Sequence, residues 1–230
     1  MKPKRRANLE PYLLLLPSLV YLAVFFAWPM VQAFGLAFRS DDGRWTLEFL
    51  RRMVGDAAFW PAMRTTLLLV VAIIPLQFIL ALAMALLVTA GLRGSGALIY
   101  FYALPIAVSD LAAGIVWFSI FTERGYLNTV LQGLGLLERP FIFLQYGASW
   151  SLIAIILAEV WRATSIIFVI LVAGLQGIPK EYFEAAEVFG AGWFARLRRV
   201  TLPMLRPSIQ VALILRTILA FQVFAVVVAL

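Results

Sequence analysis

Long runs of apolar residues, separated by short polar or glycine-rich breaks, make up most of the chain. A helix needs about 20 mostly apolar residues to cross the hydrocarbon core of a bilayer. Runs of that length predict five spans, at residues 11–38, 65–90, 96–122, 150–176 and 207–230. The pattern therefore predicts an all-α fold, a polytopic transmembrane helical bundle with at least five spans.

The two ends of the chain carry different signals. The basic start MKPKRR is like the beginning of a signal peptide, but the apolar run after it is too long and has no small-residue cleavage site. Residues 1–10 are then a basic N-terminus, and residues 11–230 form one membrane domain. Because the chain stops at FAVVVAL inside an apolar run, we expect a C-terminal truncation, with a further loop and helix beyond residue 230.

Basic residues gather in the loops of one predicted side. Ten of the 19 Lys and Arg lie there, namely Lys2, Lys4, Arg5, Arg6, Arg93, Lys180, Arg196, Arg198, Arg199 and Arg206. Cytoplasmic loops of membrane proteins carry such an excess, so the N-terminus and loop 179–206 are predicted to be cytoplasmic. Orientation in the membrane also accounts for the net charge of +7, and we expect no nucleic-acid partner.

The composition excludes several classes of protein. The chain is 63% apolar and 13% charged, which is incompatible with a water-soluble globule, and it contains neither Cys nor His. Without these residues it has no disulfide, thiol nucleophile, imidazole base or usual zinc or haem ligand. It also has no glycine-rich loop ending in Gly-Lys-Ser or Gly-Lys-Thr for nucleotide phosphates. We predict no catalytic residue, no metal site and no bound cofactor.

The predicted cytoplasmic loop contains the stretch EYFEAAEVFGAGWFARLRRVTLP, residues 181–203. Pro179 and the following acidic residues favour the start of a helix of about three turns, and Gly190 favours its end. One face of this helix is apolar and small in the middle, and it consists of Tyr182, Ala185, Ala186 and Phe189. A second short helix is predicted from residue 193 to about 199, closed by Leu202 and Pro203.

Two interpretations of this loop remain open from the residues alone. The apolar face could lie in a groove of a cytoplasmic partner. Alternatively, the loop could rest on lipid headgroups, with Arg196, Arg198 and Arg199 near anionic lipid.

The loop also resembles a known family. Glu184-Ala185-Ala186, then Gly190-Ala191, Val200, Leu202-Pro203 and Pro207, is similar to the EAA loop of the inner-membrane permease subunits of binding-protein-dependent ABC importers. The resemblance extends through AGLQGIP, VWRAT, ALPIAVSDLAAGIVW and YLLLLPSLVYLAVFFAWP, which together cover most of the chain. It is strongest to the sugar and glycerol-phosphate branch, the maltose-type permeases.

The resemblance implies roles for the loop residues. In this family the loop is a coupling helix that inserts into a cleft of a cytoplasmic ATPase. Glu184 would make the polar contact to the ATPase, Ala185 and Ala186 would allow close packing, and Gly190 would make the turn. The family pattern usually has Asp before this Gly where this chain has Phe189, which removes one polar contact or cap.

The resemblance also implies a function. The chain would be a non-enzymatic permease subunit that moves a sugar or related solute across the cytoplasmic membrane of a bacterium or archaeon by alternating access. Its partners would be a second homologous permease, two ATP-binding subunits that bind ATP and Mg, an extracytoplasmic solute-binding protein and the lipid membrane.

Four ionisable residues fall inside predicted spans, where charge is costly and often functional. Glu159 and Arg162 lie three residues apart and can neutralise each other on one helical face. Asp110 and Arg216 are expected to pair between helices. Either these are structural pairs that fix helix register, or at least one of them faces the translocation path.

Other polar and aromatic residues in the spans are weaker candidates for the substrate pathway. They are Trp117, Trp161, Tyr102 and Gln222, which can stack on sugar rings or bind hydroxyls, although such residues more often serve packing or interface anchoring. Pro29, Pro75 and Pro105 predict kinks within spans.

Two other functions compete with the importer. An ion-gradient-driven secondary transporter needs a titratable carboxylate, which Asp110 provides, but usually also a repeat in two halves, which is missing here. A membrane scaffold or enzyme subunit would leave the loop resting on lipid. Dependence on a partner ATPase separates the importer from both.

Overall fold

A computed structural model describes residues 10–40, 42–91, 94–145, 149–222 and 226–227. The chain divides into two compact units, Met1–Arg64 and Thr65–Leu230. Within the described ranges its regular structure is helical, apart from an isolated antiparallel bridge between Arg39 and Trp45. The predicted all-α class is confirmed.

The first unit contains the first candidate span. Helix α1 (Glu10–Leu22) continues through a π-helical turn (Ala23–Ala27) into α2 (Trp28–Ala37). The π turn immediately precedes Pro29, which has no N–H to donate, so the predicted interruption takes the form of a local change in hydrogen bonding. A short helix, α3 (Glu48–Gly55), follows in the same unit.

Helix α4 (Phe59–Thr89) begins earlier than the predicted start at residue 65. The Asp56 carboxylate accepts a hydrogen bond from the Ala58 N–H at 2.8 Å, just before the helix. Pro61 lies in the first turn, where proline is tolerated because its missing N–H would have no intrahelical acceptor. The helix therefore extends to residues that precede the predicted span.

The third predicted span, residues 96–122, is broken in the structure. Helix α5 (Ser95–Ala103) ends in a 3-10 turn (Leu104–Ala107), and α6 (Asp110–Phe121) starts anew, followed by α7 (Tyr126–Gly133). The segments before and after the break meet at 99°. Pro105 lies in the 3-10 turn, and the Ser109 hydroxyl caps α6 by accepting the Ala112 N–H at 3.2 Å.

Helix α8 (Ser149–Gln176) is the central helix of the second unit. In its most apolar window 61% of residues are buried, against 22% for α4. Its Phe168 and Leu171 are fully buried in a core that also contains Ala81 and Ala85 of α4. The small alanines allow α4 to pack closely against this core.

Four helical segments begin within residues 179–206. They are α9 (Lys180–Val188), α10 (Trp193–Arg196), a π-helical segment (Leu197–Thr201) and α11 (Leu202–Ala220). The prediction that Leu202 and Pro203 close a helix was wrong, because the Leu202 N–H bonds to the Leu197 carbonyl and the π segment carries the helix through Pro203. The predicted start of the fifth span at residue 207 is likewise inside α11.

Four helices among the described residues are long and apolar enough to cross a membrane, or five if the broken pair counts as one span. Several predicted features lie outside the described residues. These are the basic residues Lys2, Lys4, Arg5 and Arg6, the turn at Arg93, and residues 223–225 and 228–230 of the predicted fifth span.

Candidate functional site

Helix α9 presents an exposed apolar surface. Phe183 is partly buried against the core of the second unit, so the helix is anchored on that side. Tyr182, Val188 and Phe189 are 53%, 85% and 88% exposed. Exposed aromatic and aliphatic groups of this size on a short helix are typical of a surface that contacts a partner or lipid.

Gly190 ends α9 as the sequence predicts. Its φ of +74° is in the left-handed region that favours glycine. The Gly190 N–H bonds to the Glu187 carbonyl and the Ala191 N–H to the Ala186 carbonyl, both at 2.9 Å. These two bonds form a Schellman motif, which satisfies carbonyls at the end of the helix. The turn after α9 is therefore defined by its backbone, even though Phe189 replaces the acidic residue of the family pattern.

The part of the loop after Gly190 contacts α9 through an ion pair. An ion pair connects Glu187 of α9 with Arg196 of α10. Glu184 is exposed and makes no ion pair among the described residues, while Ala185 is exposed and Ala186 half-buried. The exposed side of α9 thus places the Glu184 carboxylate, which has no ion pair among the described residues, next to a small alanine.

The four ionisable residues inside the spans form one group together with an amide. We call it the ion cluster: Asp110, Glu159, Arg162, Arg216 and Gln77. The guanidinium of Arg216 donates from Nη2 to Glu159 Oε1 at 2.6 Å. Arg162 donates from Nη2 to the same oxygen at 2.9 Å. Glu159 and Arg216 have fully buried side chains. The i,i+3 pair predicted from the sequence is confirmed, and α11 supplies a second cation.

The predicted pair between Asp110 and Arg216 was wrong. Asp110 instead pairs with Arg162, with 2.7 Å between Oδ1 and Nη1. Arg216 reaches Glu159, because α11 packs against α8 while the start of α6 lies on the Arg162 side. Sequence spacing identifies pairs within one helix, but partners on different helices depend on their relative depth and rotation.

Gln77 of α4 is the member of the ion cluster that sequence reasoning missed. Its Oε1 accepts from Arg216 Nε at 2.7 Å, and its Nε2 donates to the Glu159 carbonyl at 2.8 Å. It is fully buried. The sequence contains one indication of this role, because Gln77 is a lone amide inside an apolar run. An amide surrounded by hydrocarbon needs hydrogen-bond partners from the protein. Gln77 brings α4 into contact with the charges of α8 and α11.

The aromatic candidates contact one another. Trp117 and Trp161 lie edge to face with 6.2 Å between ring centroids, and Trp117 stacks on Phe121 at 5.4 Å. Tyr102 packs edge to face on the buried Phe168 at 5.6 Å. Gln222 is exposed in a turn after α11 and is not part of the ion cluster. These contacts favour packing roles for Trp117 and Tyr102.

A cleft of about 430 Å³ opens between α4, α5 and α8. Tyr102 and Trp161 line it together with Thr164, Ser165 and Pro105. None of the five ion-cluster residues lines this cleft. The cleft and the ion cluster are therefore separate features.

Comparison with known proteins identifies the family of the chain. No family model matches the chain. It is 33% identical to the trehalose/maltose transport system permease protein MalF of Thermococcus litoralis, over 98% of this chain and 78% of the relative. The chain belongs to the family of sugar ABC transporter permease proteins. A further member, the lactose transport system permease protein LacF of Rhizobium radiobacter, is 30% identical over 96% of this chain and 76% of its own length.

The fold of this permease matches a solved structure. A crystal structure of a bacterial ABC transporter involved in the import of the acidic polysaccharide alginate aligns with a TM-score of 0.79. The alignment covers 91% of this chain and 72% of that chain, at 22% identity, so the likeness concerns the fold alone. The family resemblance stated from the EAA-type loop is confirmed, as is the polytopic membrane architecture.

Proposed function

We propose that this chain is the permease subunit of an ATP-driven importer that moves a sugar or a related solute across the cytoplasmic membrane by alternating access. The observation that carries the proposal is the exposed surface of α9, with its Schellman ending, in a chain whose relatives are permease proteins of sugar transport systems. The subunit itself hydrolyses nothing, and ATP and Mg bind to a partner.

The coupling step runs through residues 179–206. Glu184 makes a polar contact to the partner ATPase, Ala185 and Ala186 allow its surface to approach, and Gly190 sets the turn. Leu202 and Pro203 lie inside the continuous helix Trp193–Ala220 that follows. This helix begins at the loop and carries Arg216 of the ion cluster, so a movement of the loop is transmitted to the charges within the spans.

The proposed assembly contains one such chain, a second homologous permease, two ATP-binding subunits and an extracytoplasmic solute-binding protein. One structural neighbour is an alginate ABC transporter in complex with a pentasaccharide-bound periplasmic protein, which supports the binding-protein partner. The N-terminus is cytoplasmic, and the membrane is the cytoplasmic membrane of a bacterium or archaeon.

Co-purification with a candidate partner ATPase tests the proposal. The permease is compared with Glu184→Lys and Gly190→Pro, and with Glu138→Lys as a control in the loop predicted to face the other side. We expect the native chain and the control to retain the ATPase. The two loop variants should lose it, or uncouple its hydrolysis from transport, while still inserting into the membrane.

Two results would contradict the importer. One is that the native chain, expressed with any further residues its gene encodes, retains no ATPase. The other is solute uptake that survives ATP depletion and stops when an ionophore collapses the ion gradient, which would favour the secondary transporter.

A further inference from the structure

Helix α3 (Glu48–Gly55), which joins the first two candidate spans, is strongly amphipathic. A spacing of about 100° per residue puts its apolar side chains on one arc, which consists of Phe49, Leu50, Met53 and Val54. The opposite arc has no apolar side chain and consists of Glu48, Arg51, Arg52 and Gly55. Complete separation of the two arcs is typical of a helix at a boundary between water and an apolar phase.

The apolar arc of α3 is not covered by the described part of its own unit. None of the residues of α3 is buried, and the four apolar side chains are between 36% and 47% exposed. An isolated helix shorter than about 12 residues is only marginally stable in water, and most helices are stabilised by packing of an apolar face. The stability of α3 therefore requires an apolar phase outside the described residues of its unit.

The start of α3 is hydrogen-bonded to the end of the first candidate span. The Thr46 N–H donates to the carbonyl of Phe38, the residue directly after α2, at 2.9 Å. The Thr46 hydroxyl in turn accepts the Glu48 N–H at 3.1 Å. The bridge between Arg39 and Trp45 thus returns the chain to the point where the span ends, and α3 begins there.

The end of α3 is held at the start of the second candidate span. Trp60, in the first turn of α4, donates from Nε1 to the Val54 carbonyl at 3.1 Å. Asp56 has an extended backbone, so the two helices are not continuous. With 31 residues α4 is about 46 Å long, which exceeds the hydrocarbon core of about 30 Å, so its ends reach the headgroups. Both ends of α3 therefore lie at the level where spans leave the hydrocarbon.

The side chains around α3 are those that a headgroup region favours. Trp45 and Trp60 flank the helix and are 74% and 58% exposed, and Trp is enriched at membrane–water interfaces. Arg52 pairs with Glu48, whereas Arg51 makes no ion pair among the described residues. A guanidinium group binds phosphate oxygens through charge-assisted hydrogen bonds. The polar arc of α3 therefore offers a cation of the right chemistry for a phospholipid headgroup.

We propose that α3 is an interfacial helix that lies along the surface of the bilayer and binds phospholipid. Its apolar arc enters the boundary between headgroups and acyl chains, and Arg51 contacts lipid phosphate. Phospholipid is favoured over a protein partner because the hydrogen bonds at both ends hold α3 at the level of the headgroups. The position of α3 does not depend on the solute that the transporter carries.

Single nitroxide labels test this position in the full chain, which has no natural cysteine, in vesicles of phosphatidylcholine and phosphatidylglycerol. Leu50→Cys and Met53→Cys label the apolar arc. Arg51→Cys and Gly55→Cys label the opposite arc, and a Cβ at Gly55 meets open space. Val71→Cys, at a position of α4 that is 70% exposed, is the reference for a lipid-facing site in a span. Electron paramagnetic resonance measures how often each label collides with oxygen, which concentrates in lipid, and with the water-soluble complex NiEDDA.

We expect the labels at Leu50 and Met53 to collide with oxygen and to be shielded from NiEDDA. Their depth should be about 5–10 Å into the boundary between headgroups and acyl chains, and shallower than that of the label at Val71. The labels at Arg51 and Gly55 should collide freely with NiEDDA. Equal exposure of both arcs to NiEDDA would place α3 in water and overturn the proposal.

Two further outcomes are decisive. Labels at Leu50 and Met53 that are shielded from both oxygen and NiEDDA would show that protein covers the apolar arc, which also overturns the proposal. The phosphate contact is tested by adding Arg51→Gln to the Met53-labelled chain, with Arg139→Gln, at an exposed arginine of another loop, as the control. Arg51→Gln should make the label shallower in these vesicles and Arg139→Gln should not, and equal depths would exclude the contact of Arg51 with phosphate.

Discussion

Gln77 shows how much one neutral side chain contributes inside a membrane protein. Its amide receives the Arg216 Nε–H and donates to the main chain of α8 at Glu159, so it satisfies groups on two other helices. Arg216 already has one buried nitrogen, Nη1, without an acceptor among the described residues. Removing the amide would leave a second donor of the same guanidinium unsatisfied.

Gln77→Leu, which keeps the approximate volume, should therefore lower the free energy of unfolding by about 1–3 kcal/mol, the usual cost of leaving a buried donor unpaired. Gln210→Leu is the matched control, because Gln210 is exposed on α11. Thermal unfolding in detergent measures both variants. Equal losses of stability would contradict the role given to Gln77.

At this scale the sequence predicts only what local spacing determines. Glu159 and Arg162 pair as expected because three residues along a helix bring side chains to one face. The partner of Asp110 was not predictable in this way, since it depends on where the break near Pro105 places the start of α6. Gly190 was predictable, because few other residues adopt its positive φ readily.

Among the described elements, α8 and α11 make the most extensive contact, and a glycine permits their close approach. A Cβ built on Gly174 would lie 2.3 Å from Ser208 Oγ and 2.8 Å from Leu205 Cδ1. Gly177, one turn further along the chain, would place a Cβ no closer than 3.4 Å to its neighbours. The two glycines therefore face different constraints although both lie near the end of α8.

Gly174→Ala should separate α8 from α11 and destabilise the fold by about 1–3 kcal/mol, as overpacking usually does. Gly177→Ala should have little effect. Melting temperatures of the two variants in detergent give the comparison, and a stable Gly174→Ala protein would mean that Ser208 moves aside without cost.

The hydropathy of each run predicts the existence of the elements but not their interruptions. The break in the third span and the π segment at Leu197–Thr201 both lie next to prolines. A proline removes one backbone donor, but whether the helix bends, breaks or changes its hydrogen bonding depends on what surrounds it. Pro105 lies at a break, whereas Pro75 lies inside the uninterrupted helix α4, so a proline in the sequence does not by itself locate an interruption.

For the whole molecule, we predict the orientation in the membrane from the basic residues of the loops. Because the natural sequence has no cysteine, single cysteines can be introduced without background labelling. We expect Glu138→Cys to react with a membrane-impermeant maleimide in intact cells. Glu184→Cys should react only after the membrane is opened, and the reverse pattern would place the N-terminus outside.

The family was predictable from the sequence because its motifs extend over most of the chain. The division into two units at Arg64 was not predictable. The boundary between the two units falls inside the helix Phe59–Thr89, where no glycine or proline cluster marks a linker. An apolar run is expected both where a helix faces lipid and where it is buried in protein. Such runs therefore carry little information about which helices pack together.

The order in which the chain is synthesised determines when the ion cluster can form. Residues of α8 leave the ribosome before those of α11, so Glu159 and Arg162 enter the membrane as a pair on one helix. Arg216 arrives later, on the candidate span with the lowest mean hydropathy of the four, 1.3. A lone arginine at the centre of a helix costs about 2.5–3.5 kcal/mol on insertion. Glu159 therefore acts as an acceptor already in place, and stable insertion of α11 depends on α8, which is synthesised before it.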